Sequence, residues 1–131
     1  MTIKLEHTEG EDFTLVAYLV RRDNDPLEQG DVTGNITVNV YDLESSTPTT
    51  AAFTSTDIVA NTVFNAEQTD GYATRAGLTR YNFRAEPIAV SDYALKTGGR
   101  YLVDYIFGGA DVGGGDLVVH ASVSVVGGLS G

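Results

Sequence analysis

The sequence predicts an all-β fold: an antiparallel β-sandwich of about seven strands, forming one domain over residues 1–131. Three observations lead there. Seven tyrosines and five phenylalanines accompany many Val, Ile and Thr, the residue types that suit a pleated, half-buried surface. No segment combines helix-forming composition with apolar residues sustained at i, i+3, i+4 and i+7, whereas several stretches alternate with period two. Clusters of Gly, Pro, Asn and Asp separate those stretches at the spacing of sandwich turns. A chain of 131 residues needs only one core, and folding would bury roughly two thirds of its unfolded surface.

Ile3-Lys-Leu-Glu-His7 opens the series as a strand within an amino-terminal arm at about 1–8. Phe13, Leu15, Ala17 and Leu19 alternate with Thr14, Val16, Tyr18 and Val20, so both faces can be covered as in an inner strand. The run ends at Arg21-Arg-Asp-Asn-Asp-Pro26, a turn cluster whose proline cannot donate to a ladder. In NITVNVYDL, residues 35–43, Ile36, Val38 and Val40 share one face of a half-buried strand. ESSTPTTAAFTSTD, residues 44–57, reads as a loop with a short edge strand around Ala52-Phe53.

Strands over 61–67 and 78–86 flank QTDGYATRAG, a long hairpin connection marked by Asp70-Gly71 and Gly77. In the second strand Tyr81, Phe83 and Ala85 face one side, with Arg80, Asn82 and Arg84 opposite. The clearest strands are 100–107 and 116–126, joined through GGADVGGGD. That stretch lacks the Lys-Ser or Lys-Thr and the following helix of a phosphate loop, and its spacing does not fit the repeated calcium nonapeptide. It is expected to be a flexible hairpin tip whose glycines supply positive φ. A short arm at 127–131 closes the chain. The expected core is Phe13, Leu15, Leu19, Ile36, Val38, Phe83, Tyr101, Val103, Tyr105, Val119 and Val123.

Composition narrows the functional classes. Eighteen acids against eight bases give a net charge of −10, which disfavours nucleic acid and anionic membrane as partners. No apolar run approaches the roughly 18 residues of a membrane span, and MTIKLEHTEGEDF lacks the layout of a signal peptide, so synthesis in a cytoplasm is expected. With no cysteine there is no thiol catalysis, disulfide or Cys-based zinc site. The run from Asp23 to Asp31 has acids at calcium-like density, but Glu28 and Gly34 stand where an EF-hand needs glycine and glutamate. His7 and His120 have no neighbouring His or Cys. Ser122 and Ser124 beside His120 lie on a flat strand without a nucleophile elbow. Neither an enzyme nor a cofactor or metal is expected. Tyr18, Tyr41, Tyr72 and Tyr93 leave open a carbohydrate-binding module with a stacking platform.

Gly10-Glu-Asp-Phe-Thr-Leu-Val-Ala-Tyr-Leu, the DNDPLEQGD turn, NITVNVYDL, and the corner Leu95-Lys-Thr-Gly-Gly-Arg-Tyr101 together resemble the Ig-like amino-terminal domain of phage baseplate upper proteins. The resemblance spans roughly residues 8–126, and the long 44–60 connection departs from it. It implies an Ig-like sandwich acting as a bacteriophage virion structural protein, a capsid-decorating (cement) or tail or neck module, made in the host cytoplasm and located in the virion. The partners it implies are other capsid or tail proteins and copies of the chain.

Charge layout suggests where such docking occurs. Residues 1–31 carry eight acids and three bases, whereas 75–100 carry five bases and two acids. Arg80 and Arg84, outward on one strand face, are the expected protein-interaction residues. Their planar forks suit carboxylates, either from a copy's acidic amino-terminal third or from an acidic capsid or tail protein.

Overall fold

Alternating side chains become strands wherever a neighbouring backbone is there to pair with them. A computed structural model, describing residues 2–127, has eight strands and three short helical turns among the described residues. The strands are β1 (Thr2–Thr8), β2 (Val16–Ala17), β3 (Ile36–Asp42), β4 (Phe53–Asp57), β5 (Val63–Gln68), β6 (Tyr81–Arg84), β7 (Arg100–Phe107) and β8 (Leu117–Val126). A 3-10 turn covers Gln29–Asp31, and single α-turns α1 (Val59–Thr62) and α2 (Gly71–Arg75) flank β5. The chain is all-β and lies in two sheets, ordered β1-β8-β7-β3-β4 and β2-β6-β5. Seven strands correspond to those expected. The eighth, β4, begins at the Phe53 edge position and pairs antiparallel with β3.

Not every pairing is antiparallel. β1 lies parallel to β8, from Thr2 opposite His120 to Thr8 opposite Val126. No hairpin joins these two strands, so no turn dictates an antiparallel order. Ile3 and Leu5 then pack against the core edge while Lys4 and Glu6 stay exposed. The amino-terminal arm is thus an edge strand over Thr2–Thr8. Positions 128–131 of the carboxy-terminal arm fall outside the described residues.

All eleven expected core side chains are buried, none more than 3 % exposed. Phe83 sits edge-on to both Tyr105 and Phe107, with ring centroids 5.5 and 5.1 Å away. The stretch from Phe13 to Val20 differs from the inner strand expected of it. Only Val16 and Ala17 pair with β6, at the open edge of the small sheet, and isolated bridges join Phe13 to Ile88 and Val20 to Pro26. Pro26 takes part because its neighbours make the bonds: Leu27 N–H donates to Leu19 O, and Arg21 N–H to Asp25 O.

The glycine-rich connection is not a free tip. Arg21 Nε donates to Ala110 O at 2.8 Å, Arg22 to Val112 O, and Thr33 N–H to Gly108 O at 2.7 Å. Ala110 is fully buried beneath these ties. Positive φ occurs at Gly109, Gly113 and Gly114, as glycine permits. The arginine pair at 21–22 thus clamps a loop about 90 residues downstream.

Candidate functional site

β1 is the last strand of the large sheet and β2 the last of the small one. A groove of ≈ 670 Å³ opens between these two free edges, walled by Ile3–Glu6 of β1, by Thr14–Tyr18 around β2, and by the α2 connection through Tyr72, Arg75, Ala76 and Leu78. An edge strand leaves every second backbone N–H and C=O unpaired. Thr14 and Tyr18, flanking β2, accordingly have main-chain N–H and C=O groups without a hydrogen-bond partner among the described residues.

Basic side chains collect around this groove. Lys4 and Arg75 line it directly. The Arg80 guanidinium lies 4.1 Å from the centroid of the Tyr18 ring, and that of Arg84 lies 4.2 Å from Tyr72. Arg75 lies 5.5 Å from the same Tyr72 ring. Four of the eight basic residues of a chain with net charge −10 therefore line one cleft or lie against its tyrosines. Glu6 lines the same cleft, and Glu67 pairs with Arg80.

Arg80 and Arg84 are thus brought to one site, but not as the outward pair with Asn82 between them. Asn82 is buried, because its amide replaces the ladder where the chain leaves β2. Its Oδ1 accepts from Leu19 N–H at 2.7 Å, and its Nδ2 donates to Leu19 O at 2.8 Å and Leu27 O at 3.2 Å. Arg84 Nη1 donates to the Tyr81 hydroxyl at 3.1 Å, and that hydroxyl donates to Asp70 at 2.8 Å. Burial, then the bond to Asp70, pushes the Tyr81 hydroxyl above its ordinary pKa. Asp70 also caps α2 by accepting from Tyr72 N–H at 3.0 Å. Asp70, Tyr81 and Arg84 therefore hold Tyr72 and Arg75 over the small sheet. Charge reversal at Arg84 would aim a carboxylate at this relay, so the pair is less free to vary than an outward pair would be.

The remaining candidates sit elsewhere. His120 Nδ1 lies 2.6 Å from Asp104 across β7 and β8, on the outer face of the large sheet. His7 Nε2 hydrogen-bonds Glu11 O. In the acidic turn, Asp23 accepts from Asp25 N–H and Asp31 from Glu28 N–H, with Arg21 between both carboxylates at 3.8 and 3.6 Å. Of the four tyrosines, only Tyr18 and Tyr72 share the groove. Tyr93 stacks on Phe53 and meets Tyr101 edge-on. Among the described residues, no group of three or more His, Asp or Glu is placed to hold a metal ion. The sequence groups Tyr18 and Tyr72 with Tyr41 and Tyr93 as a stacking platform and offers Arg75 only as one of the five bases of 75–100. Nothing in their spacing indicates that the α2 connection folds back to join them. Comparison with models of known protein families and with curated proteins finds no match.

Proposed function

We propose that this chain is an Ig-like sandwich serving as a non-enzymatic structural module of a bacteriophage particle, docking onto a protein partner through the groove. The Ig-like reading draws on strand order. β2-β6-β5 take the places of strands B, E and D, and β8-β7-β3-β4 those of G, F, C and C′ in a variable-type domain, with β1 beside G. It draws also on Tyr101, near the start of the F-position strand, whose hydroxyl accepts from Lys96 N–H at 3.1 Å in the manner of a tyrosine corner. Gly99 leaves room for that ring, since a Cβ there would come within 2.6 Å of it. The chain has no cysteine for a bond between the B and F positions, and the buried Leu15, Ala17, Val103 and Tyr105 fill that layer.

The observation that carries the docking reading is the concentration of four basic side chains at a cleft between two open sheet edges, in a strongly acidic chain. Such a cleft attracts a complementary surface while net charge repels copies elsewhere. The virion assignment rests on the resemblance over residues 8–126. A carbohydrate-binding role would use Tyr18 and Tyr72, but a stacked sugar needs an open ring face, and guanidinium groups already lie on one face of each.

Mass spectrometry of purified particles should find this chain, and its absence from every particle would sink the virion reading. Lys4→Glu with Arg75→Glu changes two exposed side chains that form no ion pair among the described residues. The double variant should melt like wild type yet fail to enter the particle. Normal incorporation would remove the groove from the docking surface.

A further inference from the structure

The groove offers more than a charged patch. Its two long walls are extended backbone, Ile3–Glu6 on one side and Thr14–Tyr18 on the other, both at sheet edges. Strand edges recognise other strands, because a row of unpaired N–H and C=O groups accepts a matching row at fixed spacing. Thr14 and Tyr18 hold such groups free among the described residues. Along the walls the half-buried Ile3, Leu5 and Val16 offer apolar surface, so every second side chain of an incoming strand would have somewhere dry to go.

The rim selects among strands. Lys4 and Arg75 are exposed at the groove, while the guanidinium carbons of Arg80 and Arg84 sit over the rings of Tyr18 and Tyr72. A guanidinium carries five N–H donors, so Arg80, paired with Glu67, and Arg84, bonded to Tyr81, each keep donors for an incoming carboxylate. Four cations oppose Glu6 at the groove and the Glu67 carboxylate already paired with Arg80.

We propose that the occupant is an extended polypeptide segment alternating apolar and acidic side chains, which adds as a strand along the open edges of β1 and β2 with its carboxylates on the arginine rim. This deepens the docking role proposed above and rests on it. The apolar side chains supply burial, the backbone supplies alignment, and the carboxylates supply discrimination against neutral or basic strands.

The test uses the full chain, isotopically labelled, and three blocked hexapeptides: one alternating valine and glutamate, one alternating valine and lysine, and the glutamate peptide N-methylated at every second residue. Amide shifts on adding the glutamate peptide should map to Ile3–Glu6 and Thr14–Tyr18. The lysine peptide should bind at least about tenfold more weakly at low salt, a gap that narrows as salt screens it. N-methylation should abolish the shifts, because side chains are kept while the ladder is lost. Equal binding of the glutamate and lysine peptides, full binding of the methylated one, or shifts mapping elsewhere would each overturn the proposal. So would a uronic-acid oligosaccharide that displaces the glutamate peptide at lower concentration, or a shift pattern already produced by self-association without peptide. The two readings fail separately. Loss of particle incorporation in Lys4→Glu with Arg75→Glu, without any peptide binding, keeps the docking site and rejects the strand. Peptide binding with normal incorporation keeps the strand site and rejects its use in the particle.

Discussion

Two buried polar side chains do work that no apolar residue could replace. Asn82 bonds Leu19 N–H, Leu19 O and Leu27 O where β2 stops pairing, so Asn82→Ala would leave Leu19 N–H and Leu27 O without partners, while Leu19 O keeps its bond from Leu27 N–H. A cost of about 2–4 kcal/mol is expected in chemical unfolding, and a variant as stable as wild type would show that water satisfies those groups. Asp57, at the end of β4, accepts from Glu86 N–H at 3.1 Å, while Glu86 accepts from Ile58 N–H at 2.9 Å. Burial, only partly offset by the Glu86 N–H bond, raises the Asp57 carboxyl from 3.8 to about 6, with the Glu86 charge adding to the rise. Between those values the unfolded chain gives up its proton while the folded chain keeps it, so stability falls as pH rises through this window and stays lower above it. The loss is on the order of 2–3 kcal/mol. Asp57→Asn keeps an acceptor for Glu86 N–H and should be more stable than wild type near neutral pH. Melting curves near pH 4 and near pH 7 would check this, the variant losing less stability than wild type between them. The Tyr105 hydroxyl, buried without a hydrogen-bond partner among the described residues, is likewise raised, first by burial and then by Asp57.

At the scale of elements, two connections expected as plain hairpin loops have tertiary roles. The β7–β8 connection is tied to Arg21, Arg22 and Thr33, and a Cβ at Gly108 would meet Thr33 O at 2.7 Å. Gly108→Ala should therefore destabilise by about 1–3 kcal/mol by displacing backbone, whereas Gly115, with open space around it, should tolerate alanine. Equal melting temperatures for the two variants would mean the clamp yields freely. The β5–β6 connection carries α2, held by the relay from Asp70 through Tyr81 to Arg84. Tyr81→Phe should lower stability by only about 1 kcal/mol but increase amide exchange across Gly71–Arg75, because it cuts the tie at its centre. Exchange confined to wild-type rates would assign the holding of α2 to the Phe64, Tyr72 and Arg84 contacts alone.

For the whole molecule, one layer of side chains joins the two sheets. Phe83 of the small sheet meets Tyr105 and Phe107 of the large one, so Phe83→Ala would open a cavity where the sheets face each other. A loss of about 3–5 kcal/mol is expected, and an unchanged melt would mean that the sheets are held together elsewhere. The same two-sheet arrangement creates the groove. The edge strands β1 and β2 each keep one side open toward the same cleft, which Tyr72 and Arg75 of the α2 connection also line.

The sequence by itself determined the all-β class, the positions of most strands and the inward faces. Ile36, Val38 and Val40, or Tyr101, Val103 and Tyr105, declare a buried face by alternation alone, because a pleated strand turns successive side chains to opposite sides. Where that local rule was broken, only the tertiary structure decided the outcome. Asn82 reads as an outward residue until Leu19 and Leu27 arrive from more than fifty positions away to use its amide. The parallel seat of β1, the clamp on the glycine-rich loop, and the meeting of Tyr18 with Arg80 and of Tyr72 with Arg84 have the same origin. They depend on which edge lies beside which, and side-chain periodicity describes one strand at a time and carries no record of its neighbours.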